Sequence, residues 1–240
     1  NIPILHHTIS NLINLKIKKI GIVIGYLGKK ISNFISKLIK ENEDLQEKLQ
    51  IINAKKQYKL GPLYSFLSIT KKKNFFTKDK YYLVLPGDTV FENNIIDEIL
   101  SSISNNYTLI KNYPFVFYRN IETSKLIELY NINRLISNAE IEIIDSNIIL
   151  KQISLLKVGD IANKDSINQI IPIIVLNYNA IIEISNIRKT NRIKTIWEAL
   201  NHLAFNEKKI ICFKIEKDYH FFDIDIEEDI QKLKKKRKGQ

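Results

Sequence analysis

The sequence predicts an α/β domain, a three-layer sandwich whose mainly parallel, twisted sheet carries helices on both faces and a small antiparallel insertion. Three observations predict it. Short, β-branched apolar runs (19–26 KIGIVIGY, 49–53 LQIIN, 81–86 YYLVLP) punctuate the first hundred residues, and helix-period segments fill the spaces between them. That α-β-α-β alternation is the order that parallel strands and crossover helices require. The chain of 240 residues is 45% hydrophobic and 10% aromatic, enough to bury the core of one large domain. No internal repeat and no linker rich in Pro, Gly or Ser divides it, so 1–231 reads as one domain and 232–240 as a basic tail.

Taken in order, 6–16 places Ile9, Leu12 and Ile13 at helical spacing, and 19–26 is a strand buried on both faces. Gly25 to Gly28 breaks that strand, and 29–44 resumes helical period through Ile31, Phe34, Ile35, Leu38 and Ile39. A second strand follows at 49–53. The segment 61–70 (GPLYSFLSIT) opens with a turn and continues as a helix, with Pro62 at a favourable first-turn position. The buried strand 81–86 ends at Gly87 and Asp88, and Asn93 or Asn94 caps a helix to about Ser104. In 107–170 lie four strand-like pieces (107–110, 115–118, 141–144, 148–153), read as antiparallel strands and loops over one end of the sheet. A core strand at 170–176, a helix at 195–206, strands at 209–215 and 221–224, and a closing helix from Ile226 complete the reading.

Composition excludes several classes. Apolar content this high excludes low-complexity disorder, and a lone Cys212 excludes an internal disulfide framework. No apolar run approaches the roughly 18 residues of a membrane span, so a cytoplasmic, membrane-free protein is expected. The net charge of +11 tempts toward nucleic acid. Six of those charges sit in 232–238 (KLKKKRK), and Ile, Lys and Asn, which number 47, 32 and 25, all have A/T-rich codons. Basic and aromatic residues do not interleave as base-stacking surfaces require, so no nucleic-acid partner is expected.

Four segments could carry chemistry. In 83–91 (LVLPGDTVF) a strand delivers Asp88 to the turn at its carboxyl end, following Gly87. Ligands bind outside the carboxyl ends of parallel strands, and a carboxylate there suits Mg2+; the alternative is an Asp that only satisfies its own turn. In 221–230 (FFDIDIEEDI) Asp223 and Asp225 are the candidates, with Asp225 also a natural N-cap for a helix whose first turn is acidic. The turn Gly61-Pro62-Leu63 would offer backbone N–H groups and a positive helix end to a base edge or phosphate. Gly25 to Gly28, followed by Lys29 and Lys30, could bind phosphate but is more simply a strand-to-helix turn. His6 and His7 have the wrong spacing for a metal, Cys212 reads as an inert core thiol, and His220 is at most a neighbour of the Asp223 segment.

Together these pieces resemble the nucleotidyltransferases with a GT-A-like Rossmannoid fold. The segment 2–31 (IPILHHTISNLINLKIKKIGIVIGYLGKKI) is similar to the P-I-L-x-H-x-I-x-x-L helix and V-x-G-Y-x-G-x-x-I strand-turn-helix that follow the family's signature loop. LVLPGDTVF resembles the strand whose terminal Asp binds the catalytic metal, and FFDIDIEEDI resembles the closing segment that supplies a second carboxylate. GPLYSFL is similar to the G-P-L turn of molybdenum cofactor guanylyltransferases or the G-T-A turn of sugar-phosphate members. The likeness spans nearly the whole chain in the family's order. Two departures stand out. The Gly-rich segment that wraps the triphosphate and supplies catalytic Arg and Lys is not in the sequence, so no catalytic residue is assigned and the natural protein is expected to begin about 20 residues earlier, the size of a strand–loop unit. Ile226 and Glu227 replace the usual Thr-Pro.

The resemblance implies Mg2+-dependent transfer of a nucleotidyl group from an NTP to a phosphorylated acceptor, a sugar phosphate or similar, with release of pyrophosphate. It implies Asp88, Asp223 and Asp225 as metal candidates, and Gly61, Pro62, Leu63 and Gly87 at the nucleotide. The 107–170 segment would shape the acceptor side. Two alternatives stay open: a non-catalytic nucleotide-binding or regulatory domain of the same fold, and a GT-A glycosyltransferase. The latter is disfavoured because the central strand ends in G-D-T, with a single Asp.

Overall fold

The computed structural model describes residues 3–15, 17–217, 219–224 and 229. Asp225, the closing helix expected from Ile226 and the 232–240 tail lie outside the described residues. The chain runs through α1 (Ile4–Asn14), β1 (Ile20–Ile24), α2 (Gly28–Glu41), α3 (Leu45–Lys48) and β2 (Leu49–Asn53). A 3-10 turn (Lys55–Leu60) leads to α4 (Pro62–Phe66), a second 3-10 turn (Leu67–Lys71), β3 (Tyr81–Val84), β4 (Thr89–Phe91) and α5 (Asn93–Asn105). Then follow α6 (Tyr107–Ile110), β5 (Phe115–Glu122), α7 (Thr123–Leu129), β6 (Leu135–Ile144) and β7 (Asn147–Lys157). A last 3-10 turn (Val158–Ile161) precedes β8 (Ser166–Asn177), α8 (Tyr178–Thr190), α9 (Ile196–Phe205), β9 (Ile211–Lys214) and β10 (Phe221–Asp223).

The fold is mixed α/β, and the expectation of a mainly parallel sheet is corrected. Among the described residues, β1–β2 and β5–β9 pair parallel, whereas β3–β8, β5–β8, β6–β7, β6–β8, β7–β9 and β4–β10 pair antiparallel. The reason is the second half of the chain. Its strands are long and joined by tight connections such as the Asp145-Ser146 turn, where both residues take left-handed φ (50° and 64°), as two-residue hairpins require. The six-stranded sheet runs β3-β8-β5-β9-β7-β6. Single residue pairs, Asn138 with Gln169 and Ile149 with Ile211, bring the β6–β7 hairpin back onto β8 and β9, so the pairings close a ring. Of the pieces expected within 107–170 as antiparallel strands over one end of the sheet, 115–118, 141–144 and 148–153 fall in β5, β6 and β7, which belong to the six-stranded sheet itself, and β5 pairs parallel with β9.

Side-chain alternation shows how one layer serves two cores. Ile22, Ile24, Phe115, Phe117, Ile171, Ile173 and Ile211 point to one face, covered by Ile9 and Leu12 of α1, Ile35 of α2 and Ile95, Ile96 and Ile99 of α5. Ile52, Tyr82, Val116, Tyr118, Leu176 and Cys212 point to the other, covered by Leu63 of α4, Ile181 and Ile184 of α8, and Leu200 and Leu203 of α9. The β1–β2 pair and the six-stranded sheet contribute to both cores, so helices do lie on both faces. Ile95, Ile96 and Ile99 are each fully buried, worth about 1.5–3 kcal/mol apiece.

Local departures have local causes. The 107–110 piece is a helical turn: four residues are too few to show a period, and Leu109 and Ile110 both donate backward to the Asn106 carbonyl. The helix expected over 61–70 is broken into α4 and a 3-10 turn. Neither Asn93 nor Asn94 caps α5; Glu92 takes that place without a side-chain cap. β1 buries only alternate residues fully, and β3 only Tyr82. Helix α8 was not expected. Its signal is the Asn177 side chain, which accepts from Ala180 N–H at 2.8 Å, a cap that also ends β8.

Candidate functional site

The site begins where β3 ends. Beyond Val84 the chain bends through Gly87 and Asp88, both exposed, and Gly87 has open space where a side chain would stand. The next residues form β4, which pairs antiparallel with β10 in the register Thr89–Asp223, Val90–Phe222, Phe91–Phe221. Ile224 N–H donates to the Asp88 carbonyl at 3.1 Å. Two segments more than 130 residues apart in sequence therefore bring Asp88 and Asp223 onto neighbouring strand ends. Sequence reasoning named both residues but missed β4, whose three residues are too few to show alternation.

Asp223 is held by Thr89 and Arg134. The fully buried Thr89 hydroxyl donates to one carboxylate oxygen. Arg134 lies 3.8 Å from the other, and its guanidinium also reaches Asp229 at 3.5 Å and donates to the Asp223 carbonyl at 3.3 Å. Beneath, Arg119 is 3% exposed. Its Nε donates to Gln169 at 3.0 Å, a guanidinium nitrogen donates to the Tyr219 carbonyl, and the group stacks 5.1 Å from the Phe221 ring. The Tyr130 hydroxyl, whose pKa burial pushes up, is a neutral donor 3.5 Å from the Phe221 carbonyl.

The pattern is regular. In β10 the even residues face β4, since His220 O accepts from Glu92 N–H and Ile224 N–H bonds Asp88. The odd carbonyls of Tyr219, Phe221 and Asp223 face the other way, and Arg119, Tyr130 and Arg134 meet them in turn. Side-chain donors thus do for the outer edge of β10 what a strand would otherwise do.

The other sequence-predicted candidates are placed differently. Gly61 has φ +130°, open to Gly and strained for other residues. The expected free N–H groups of the Gly61-Pro62-Leu63 turn are largely consumed: Gly61 donates to Tyr58 O at 3.4 Å, Leu63 to Lys194 O at 2.9 Å, and Pro62 has none to give. The turn lies on the α4 side of the sheet, with Leu63 fully buried among the residues that include Tyr82 of β3. Gly25 would drive a side chain into Tyr58 at 2.5 Å, so its role is close packing. The His220 ring sits tilted against Phe222 at 6.3 Å.

Among the described residues no group of three or more His, Cys, Asp or Glu could form an all-protein metal cage. Two hard carboxylates on adjacent strand ends are the donor set expected for Mg2+, which keeps waters and shares its ligands with substrate phosphates. Cys212 is 2% exposed and burial alone pushes its thiol up to about 12. It is expected to resist a disulfide reagent at pH 8 in the folded chain and to react fully in denaturant; rapid reaction of folded protein would show that β9 opens.

No family model and no curated protein sequence matches the chain. Solved structures do. A UDP-glucose pyrophosphorylase complexed with UDP-glucose superposes with TM-score 0.67 at 14% identity, over 99% of this chain and 88% of that one. The inositol-1-phosphate CTP transferase from T. maritima matches with TM-score 0.59 at 14% identity over 94% and 78%. The CTP:phosphocholine cytidylyltransferase from Streptococcus pneumoniae matches with TM-score 0.57 at 13% identity over 97% and 84%. No described helix is long and apolar enough to cross a membrane. With a mixed sheet covered on both faces, and with sugar-phosphate and related nucleotidyltransferases as structural neighbours over nearly its whole length, the chain has the fold of the nucleotidyltransferase superfamily.

Proposed function

We propose that the protein transfers a nucleotidyl group from an NTP to a phosphorylated acceptor, a sugar phosphate or similar, and releases pyrophosphate. The observation that carries this reading is the β4–β10 pairing, which sets the backbone of Asp88 beside Ile224 and that of Asp223 beside Thr89, so that the two acids flank one strand pair. The fold and the activities for which its structural neighbours are named agree with it. In this reading 1–231 acts as one three-layer domain, and an acceptor phosphate oxygen attacks the α-phosphorus while the bond to the bridging β-oxygen breaks. Such displacements ask little covalent work of a protein; alignment and charge neutralisation dominate.

Asp88 and Asp223 would hold Mg2+, which when bound neutralises the phosphate oxygens. Asp225 stays a second candidate for that role. Thr89 and Arg134 fix the Asp223 carboxylate, and Arg119 and Tyr130 fix the strand beneath it. Gly87, with open space beside it, lets a ligand approach the backbone. Gly61 and Pro62 would lie against the base by their surface rather than through N–H groups, with the fully buried Leu63 anchoring the turn beneath them. The test is a pyrophosphate-release screen of the full-length protein, crossing four NTPs with sugar, alcohol and cofactor phosphates. Release with at least one pair supports the reading; binding of NTP with no release across the panel favours a nucleotide-binding domain instead.

A further inference from the structure

Arg134 touches both the side chain and the backbone of Asp223. It donates to the Asp223 carbonyl at 3.3 Å, lies 3.8 Å from the carboxylate and reaches Asp229 at 3.5 Å. Its side chain is only 18% exposed, against 41% for Asp223. An ion pair half shielded from water is weakly screened, so the guanidinium charge is felt by any cation that approaches Asp223. The same group is a planar fork suited to phosphate as well as to carboxylate. The Thr89 hydroxyl already occupies the other carboxylate oxygen, so a metal and Arg134 compete for one face of the same acid.

We propose that Arg134 is a positioning residue that serves as the built-in counter-ion of Asp223, suppressing divalent-cation binding until a nucleotide phosphate draws the guanidinium away. The proposal rests on the reading of Asp88 and Asp223 as the metal site. It makes cation binding depend on nucleotide, because phosphate offers Arg134 a replacement partner while the freed carboxylate takes the metal. Arg134 touches no reacting atom in this scheme. It sets when Asp223 becomes available.

The test is Mn2+ binding to the full chain by electron paramagnetic resonance of the free ion, without nucleotide and then with a non-hydrolysable NTP. Without nucleotide, Arg134→Gln is expected to bind Mn2+ about tenfold more tightly than wild type, the effect of removing one nearby charge. Arg134→Lys, which keeps the charge but not the fork, is expected to tighten it about threefold. With the NTP analogue the order reverses, since the glutamine variant has lost a phosphate partner. The tightening should vanish in an Asp223→Asn background. If Mn2+ binding is lost in Asp88→Asn and Asp223→Asn yet is unchanged or weakened in Arg134→Gln, this inference fails while the metal site stands. If those Asp variants leave binding untouched, or no variant binds Mn2+ at all, both fail. Should the glutamine variant not fold, the lysine variant reads the same effect, and an unchanged affinity overturns the proposal.

Discussion

Exchange of Asp88 for asparagine is expected to lower nucleotidyl transfer by at least about a hundredfold while the protein stays folded. Asp88 is exposed at the end of β3 and its neighbour Gly87 faces open space, so a neutral isostere changes stability by no more than about 0.5 kcal/mol. Activity is another matter. Removing one preorganised electrostatic partner of a transition state typically costs about 10²–10³ in rate, roughly 2.7–4 kcal/mol. Pyrophosphate release and a thermal melt, taken on the same preparation, separate the two effects. A variant that melts normally and keeps its turnover removes Asp88 from the site.

Replacement of Gly61 by alanine is expected to have the largest effect on stability, a loss of about 3–5 kcal/mol. Its backbone, φ +130° and ψ 168°, lies where only glycine is comfortable, at a strain of about 1–3 kcal/mol for any other residue. A β-carbon would also stand 2.9 Å from the Lys194 carbonyl oxygen and 3.1 Å from the Lys194 side chain. That carbonyl accepts the Leu63 N–H, so relief of the clash strains a hydrogen bond worth about 1 kcal/mol and moves the fully buried Leu63. At about 2–4 °C per kcal/mol for a chain of this size, the melting temperature should fall by about 6 °C or more. Gly87→Ala, which meets nothing within 4 Å, is the matched control and should melt like wild type. An unchanged melting temperature in Gly61→Ala would mean that the turn does not pack on Lys194.

Much of the fold was legible because its strands are written in isoleucine and valine. The run 49–53 was read with the bounds that β2 has, and the short apolar runs at 19–26 and 81–86 enclose β1 and β3. What could not be read was strand direction. Parallel and antiparallel strands look alike when both faces are covered, and the docking of the 135–157 hairpin onto β8 and β9 depends on partners outside it in sequence. Short elements were also lost: β4 has three residues and α6 four, below the length at which any period shows.

The acids of the candidate site were legible for a similar reason, since Asp88 and Asp223 each follow an apolar strand. Their supports were not. Arg119, Tyr130 and Arg134 are brought to the site only by tertiary pairing, and Thr89, though next to Asp88, meets Asp223 only through it. One signal was nevertheless present. The chain has 32 Lys and only 5 Arg, so a retained Arg marks a place where lysine will not serve. Three of the five bear this out: Arg119 forks between Gln169 and the Tyr219 carbonyl, Arg134 between two carboxylates, and Arg188 stacks 4.8 Å from the Tyr64 ring. Planar geometry explains each.

The proposed reaction places attack at the α-phosphorus of an NTP, near Asp88 and Asp223. It is tested most directly by following the α-phosphorus itself, with NTPs labelled at that position, the full-length protein and a panel of phosphorylated acceptors. The label is expected to appear covalently attached to an acceptor, in step with pyrophosphate release, and Asp88→Asn is expected to remove both signals. Label that stays in NDP, or no product with any pair, would contradict it.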